Sequence, residues 1–106
     1  MGIPTYRVPT AEELPNTLTR GTKTIATAGS EAAIAASTPC RGVYIRALDA
    51  NTGYVYWGDS AVSSTVYVER LAAGEGTWIG VSNLALIYID VSVNGEGVTF
   101  GYLSDV

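Results

Sequence analysis

The stretch from Cys40 to Ser60, CRGVYIRALDANTGYVYWGDS, decides the fold class. Its first half, Arg41 to Leu48, alternates with period two: Val43, Ile45 and Ala47 fall on one side, Tyr44 and Arg46 on the other. That is the pattern of a half-buried strand. Its second half, Tyr54-Val55-Tyr56-Trp57, consists of strong strand formers. Asp49, Ala50, Asn51, Thr52 and Gly53 lie between them, and Asn and Gly tolerate positive φ. The two runs are therefore expected to pair as a hairpin at the centre of a small all-β domain.

Working outward from this stretch, the same texture continues. Thr24 to Thr27 is a short strand candidate, and Ala28-Gly29-Ser30 a turn. Glu31 to Ala36 is alanine-rich, which favours helix, but it is short and lies between turn signals, so an extended path is preferred. Further strands are expected at Ser64–Arg70, Thr77–Val81, Leu84–Val93 and Val98–Leu103. In the run 84–93 the expected core face is Ala85, Ile87, Ile89, Val91 and Val93; Leu84, Leu86, Tyr88, Asp90 and Ser92 take the other face. Asn94-Gly95-Glu96-Gly97 is the strongest turn signal in the chain. About seven or eight antiparallel strands in one small domain predict a β-sandwich, a jelly roll or a small barrel.

Residues 1–22 differ. Three of the four prolines, Pro4, Pro9 and Pro15, are here and oppose a sheet interior. The expected division is an extended N-terminal arm over 1–22 and a β-sandwich domain over 23–106. The arm is either a loosely held terminus or a segment that docks on a neighbouring subunit through Ile3, Tyr6, Val8 and Leu14.

Composition narrows the function classes. The chain has 106 residues, 47% hydrophobic and 15% charged, which is a globular rather than a disordered balance. No apolar run approaches the ~20 residues of a membrane span, and the N-terminus lacks signal-peptide and myristoylation patterns, so a soluble product made in the cytoplasm is expected. Net charge is −4 and the six cations are scattered, which argues against nucleic acid as a partner. With no histidine, the commonest general base and zinc ligand is missing. The single cysteine, Cys40, can form no disulfide within the chain and reads as a small, partly buried apolar residue. Asp49-x-Asn51-x-Gly53 resembles part of a calcium loop, but the twelfth position is Ser60 rather than Glu, so a turn is expected and no metal or other cofactor. Neither glycine-rich turn, Gly74-Glu75-Gly76 or Asn94-Gly95-Glu96-Gly97, is followed by a basic residue to hold a phosphate. Asp59, Glu69, Glu75, Asp90 and Glu96 read as solvated surface rather than a glycosidase pair. No enzyme is expected.

The aromatics remain. Tyr54, Tyr56 and Trp57 cluster beside the central turn, and Tyr44 and Arg46 share a strand face. Core packing, a subunit interface and sugar stacking all use such residues, and interfaces favour Tyr, Trp and Arg. The candidate interface set is Tyr6, Val8, Leu14, Tyr44, Arg46, Tyr54, Tyr56 and Trp57.

Four strings, CRGVYIRAL, NTGYVYWGDSAVS, LAAGEGTWI and NLALIYIDVSVNGEGVTFGYL, together resemble a group of small virion proteins of tailed bacteriophages, over about residues 22–103. The resemblance implies a β-sandwich subunit, usually a homo-oligomer, expected to be a trimer, that resides in the virion. A capsid decoration or cement protein contacting the major capsid protein is the first expectation. A head-fibre base, neck or tail component is the alternative within the virion, and a carbohydrate-binding β-sandwich the alternative outside it.

Overall fold

A computed structural model describes residues 14–105. It contains eight strands: β1 (Thr17–Thr24), β2 (Ala32–Ala33), β3 (Val43–Ala47), β4 (Val55–Gly58), β5 (Glu69–Leu71), β6 (Gly76–Ile79), β7 (Tyr88–Val91) and β8 (Gly97–Ser104). They form two four-stranded sheets. The first has the order β1-β8-β3-β6 and the second β2-β7-β4-β5, with every pairing antiparallel. Of the consecutive strands only β4 and β5 share a sheet; every other connection crosses between the two. An eight-stranded double sheet wound in this way is a jelly roll.

Alternation explains the layering. Val43, Ile45 and Ala47 of β3 and Val98 of β8 are fully buried from the first sheet. Val55, Leu71, Ile89 and Val91 are buried from the second. With Leu84, Ile87 and Phe100 they make one apolar cluster between the sheets. Cys40 belongs to that cluster and donates its thiol to the Val81 carbonyl at 3.3 Å, as suits a small core residue.

The expected central hairpin is not formed. β3 pairs with β6 and β8, and β4 with β5 and β7, so the two runs lie in opposite sheets. Each carries an apolar face, and setting them face to face buries both. The turn residues are spent on the crossing, and positive φ is confined to Gly29, Gly42, Gly74 and Gly95 among the described residues. Other expectations shift for local reasons. The sheet begins at Thr17 rather than 23, because β1 pairs with β8 residue by residue from Thr17 opposite Ser104 to Thr24 opposite Gly97. Beyond Thr24 the chain leaves the strand. Ser64–Arg70 is mostly loop: Val66 and Val68 stand exposed, and only Glu69–Leu71 pairs. The run 84–93 is broken by a 3₁₀ turn at Leu84–Leu86, where Asn83 Oδ1 accepts from the Ala85 N–H at 2.9 Å and the Thr38 N–H at 3.0 Å. The turn alters the pattern only at its own residues, since Ile87, Ile89 and Val91 keep the expected inward phase, and β7 ends at Val91. Leu84 joins the core, whereas Val93, counted with the core face, is exposed. Residues 1–13, with Tyr6 and Val8 of the expected arm, lie outside the described residues.

Two turns clasp one another where the sheets meet. The Glu96 carboxylate accepts the Thr52 N–H at 2.6 Å and the Gly53 N–H at 2.9 Å, and also the Thr52 hydroxyl at 2.9 Å. Buried Asn51 donates its side-chain amide to the Gly97 carbonyl at 2.9 Å. Asp49 is held by Arg46 at 2.7 Å. The D-x-N-x-G residues are thus engaged in fastening the 94–97 turn and the strand before them, which is a structural use of the pattern.

The clasp makes stability pH-dependent. The Thr52 backbone hydrogen bond is the largest influence on the Glu96 carboxyl; desolvation, the next largest, opposes it, and the Gly53 N–H and the Thr52 hydroxyl add to it, so that the Glu96 pKa lies below its ordinary 4.5. A folded-state pKa below the unfolded one stabilises at pH above the ordinary value, and the gain is lost as pH falls through the folded value. Glu96→Gln is therefore expected to lower the urea midpoint at pH 7, with the difference from wild type shrinking as pH drops below 4.5. A difference that is constant with pH would show that the clasp does not depend on the charge. A second prediction concerns the glycines of β8. A Cβ at Gly97 would collide with the Lys23 carbonyl oxygen of β1, whereas one at Gly101 would meet Leu18 Cδ1 at 3.6 Å and the Thr19 carbonyl oxygen at 4.0 Å, ordinary contacts. Gly97→Ala should cost about 1–3 kcal/mol in denaturant unfolding, and Gly101→Ala should stay within about 0.5–1 kcal/mol of wild type.

Candidate interaction surface

In an antiparallel ladder, directly opposed residues point to the same face. Since Val43, Ile45 and Ala47 point into the core, Tyr44 and Arg46 point outward from the first sheet. Tyr44 stands opposite Trp78 of β6 on one side and Gly101 of β8 on the other, and Gly101 opposite Arg20 of β1. Leu18 stands opposite Leu103 in the same phase. The outer face of the first sheet therefore gathers Leu18, Tyr44, Trp78 and Leu103, with Arg20 and Arg46 among them. Leu18 is 73% exposed, Trp78 52% and Tyr44 45%, so this is an open apolar and aromatic face.

Glycines set the height of these rings. A Cβ at Gly42 would run into the Trp78 indole, and one at Gly76 into the Tyr44 hydroxyl end. Each ring thus lies over a bare stretch of the neighbouring strand, and the face stays low and even. Arg46 is fixed beside them, with Nε donating to the Gly74 carbonyl at 3.0 Å and its guanidinium on Asp49. Rings and cation are held in place before any partner arrives, which reduces the ordering cost of binding.

The other expected interface residues are elsewhere. Tyr54 and Tyr56 lie on the outer face of the second sheet, on the opposite side of the molecule. Tyr54 is exposed, with the Arg70 guanidinium 4.4 Å from its ring centroid. Tyr56 is only 7% exposed, with its ring 5.1 Å from that of Tyr67. Trp57 faces inward, packs against the core and donates its indole N–H to Glu69 at 3.2 Å. The compact aromatic rim expected at 54–57 is therefore divided between the outer face of the second sheet and the interior. Leu14 is half-exposed just before β1. Trp78, Leu18 and Leu103 were not among the expected interface residues. The signal that could have found Trp78 is its phase in Thr77-Trp78-Ile79, where Ile79 takes the core side; finding Leu18 required knowing that 17–24 is a strand.

Among the described residues, no three His, Cys, Asp or Glu side chains come together as metal ligands would. Comparison of the chain with protein-family models, with curated proteins and with solved structures finds no match in any of the three.

Proposed function

We propose that the chain is a structural subunit of a tailed-phage virion, a capsid decoration protein that works by contact rather than by chemistry. One observation carries this reading: the pre-set apolar and aromatic outer face of the β1-β8-β3-β6 sheet. Soluble monomers seldom leave so many large apolar side chains contiguous, and such patches mark association surfaces. By strand spacing and rise, the face measures roughly 20 Å by about 25 Å, or roughly 500 Å², the larger part of the ~800 Å² that each partner contributes to a standard interface. Tyr, Trp and Arg at its centre are the residue types that dominate interface energetics. The occupant we assign to it is a second copy of the same chain, with a trimer as the expected assembly. The resemblance of the 22–103 region to small phage virion proteins supports the virion setting. Jelly rolls recur among viral capsid domains, a fold-level analogy that agrees with this setting. Sugar stacking on Trp57 is disfavoured, since its ring packs inward and its N–H is engaged by Glu69.

Light scattering of the full chain tests the proposal. Wild type is expected to form a defined oligomer. Trp78→Glu, at an exposed position on a surface strand, is expected to weaken association by about tenfold or more while leaving the far-ultraviolet circular dichroism unchanged. A wild-type monomer at all concentrations, or a folded Trp78→Glu variant that assembles as well as wild type, would overturn the assignment of this face.

A further inference from the structure

The second sheet carries a different kind of feature on its own outer face. Ile89 and Val91 of β7 point into the core, so Asp90 between them points outward, yet it is only 2% exposed. It is shielded by the loop around Ala28 and Gly29 and lies beside Tyr56 of β4 in the ladder. Asp90 Oδ1 accepts two backbone hydrogen bonds, from Gly29 N at 2.9 Å and Val91 N at 2.8 Å. Asp90 lines a surface cavity of about 350 Å³ together with Ala28, Gly29, Ser64, Val91 and Ser92.

A buried carboxylate is costly unless its oxygens are well supplied with donors. Here the protein supplies both of its donors to one oxygen. The space next to this group is open. A cavity of 350 Å³ lies at the lower end of small-molecule sites, about 300–1,000 Å³, and is far larger than the ~30 Å³ of a water. Its walls are small and hydroxylic. Ser92 Oγ accepts the Tyr54 N–H at 2.8 Å, which leaves its own proton free to donate. The chemistry presented is thus a fixed anionic acceptor flanked by hydroxyls that can donate or accept. Anions are repelled by Asp90. A metal ion would want further carboxylates or imidazoles, and among the described residues none gather here. A neutral polyol, whose hydroxyls donate to a carboxylate and exchange hydrogen bonds with serines, fits both the size and the donor pattern.

We propose that the Asp90 cavity is a binding site for a monosaccharide-sized polyol, a sugar unit of a glycan, with Asp90 Oδ2 accepting ligand hydroxyls and Ser64 and Ser92 flanking it. This site is independent of the self-association face, which lies on the other sheet, so either assignment can fail alone.

Titration of the ¹⁵N-labelled full chain with free glucose, galactose, mannose and N-acetylglucosamine, followed by amide shifts, is the test. At least one sugar should produce saturable shifts at Gly29, Ser64 and Ser92. Asp90→Asn keeps an oxygen for the Gly29 and Val91 amides but loses the anionic acceptor, and should weaken that binding by about tenfold. Ser64→Phe, at an exposed loop position, should block the cavity with Asp90 intact. No saturable shifts with any of the four sugars would overturn the proposal. So would sugar binding unchanged in both folded variants, or a response to n-butylammonium chloride in place of the sugars, which would make this a cation site.

Discussion

The burial of alternate residues of β3 is the constraint on which the rest depends. β3 is flanked by β8 and β6, and its Val43, Ile45 and Ala47 are fully enclosed between the sheets. Because side chains alternate across a strand, that burial leaves Tyr44 and Arg46 no choice but the outer face. A slip of one residue would exchange the two sets and place a guanidinium in the core. The interaction surface is in this sense a by-product of core packing, and what the sequence adds is the choice of Tyr, Trp and Leu where a solvated sheet would carry Thr, Lys or Glu.

The winding of the chain makes the same demand repeatedly. With nearly every connection crossing between sheets, each turn brings the chain from one inner face to the other. Sequence neighbours are therefore seldom spatial neighbours within a sheet, and the fold relies on contacts between distant segments. The clasp of Glu96 on Thr52 and Gly53, with Asn51 on Gly97, joins two such crossings at one end of the sandwich. Through it the β3–β4 link and the β7–β8 link restrain each other. Cys40, the one residue with a reactive side chain of unusual chemistry, is given to packing.

Much of this was legible in the sequence, and the exceptions have physical causes. The all-β class, the presence of β3, β4, β6 and β8 and the inward phase of Ile87, Ile89 and Val91 followed from period-two alternation. The pairing did not, because a strand's pattern says which face it buries and nothing about its neighbour; Arg41–Leu48 and Tyr54–Trp57 read as a hairpin for that reason. Strand β1 was missed because TLTRGTKT has one large apolar residue, and that residue points outward; its place is set by backbone pairing with β8. Asp90 reads as a polar position at the open end of a strand, and it is the fold of the Ala28–Gly29 loop that encloses it. Of the expected interface residues, Tyr44 and Arg46 fall on the proposed surface, while Trp57 was drawn away by the core and Tyr56 by its packing against Tyr67.

The most direct measurement of the central claim is the solvent access of Trp78 in the assembled protein. The chain has two tryptophans, so Trp57→Phe leaves Trp78 as the only indole reporter. Acrylamide quenching of Trp78 is expected to fall, and its emission to shift to the blue, over the same concentration range in which light scattering detects the oligomer. An oligomer in which Trp78 remains as open to quencher as in the dilute monomer would contradict it.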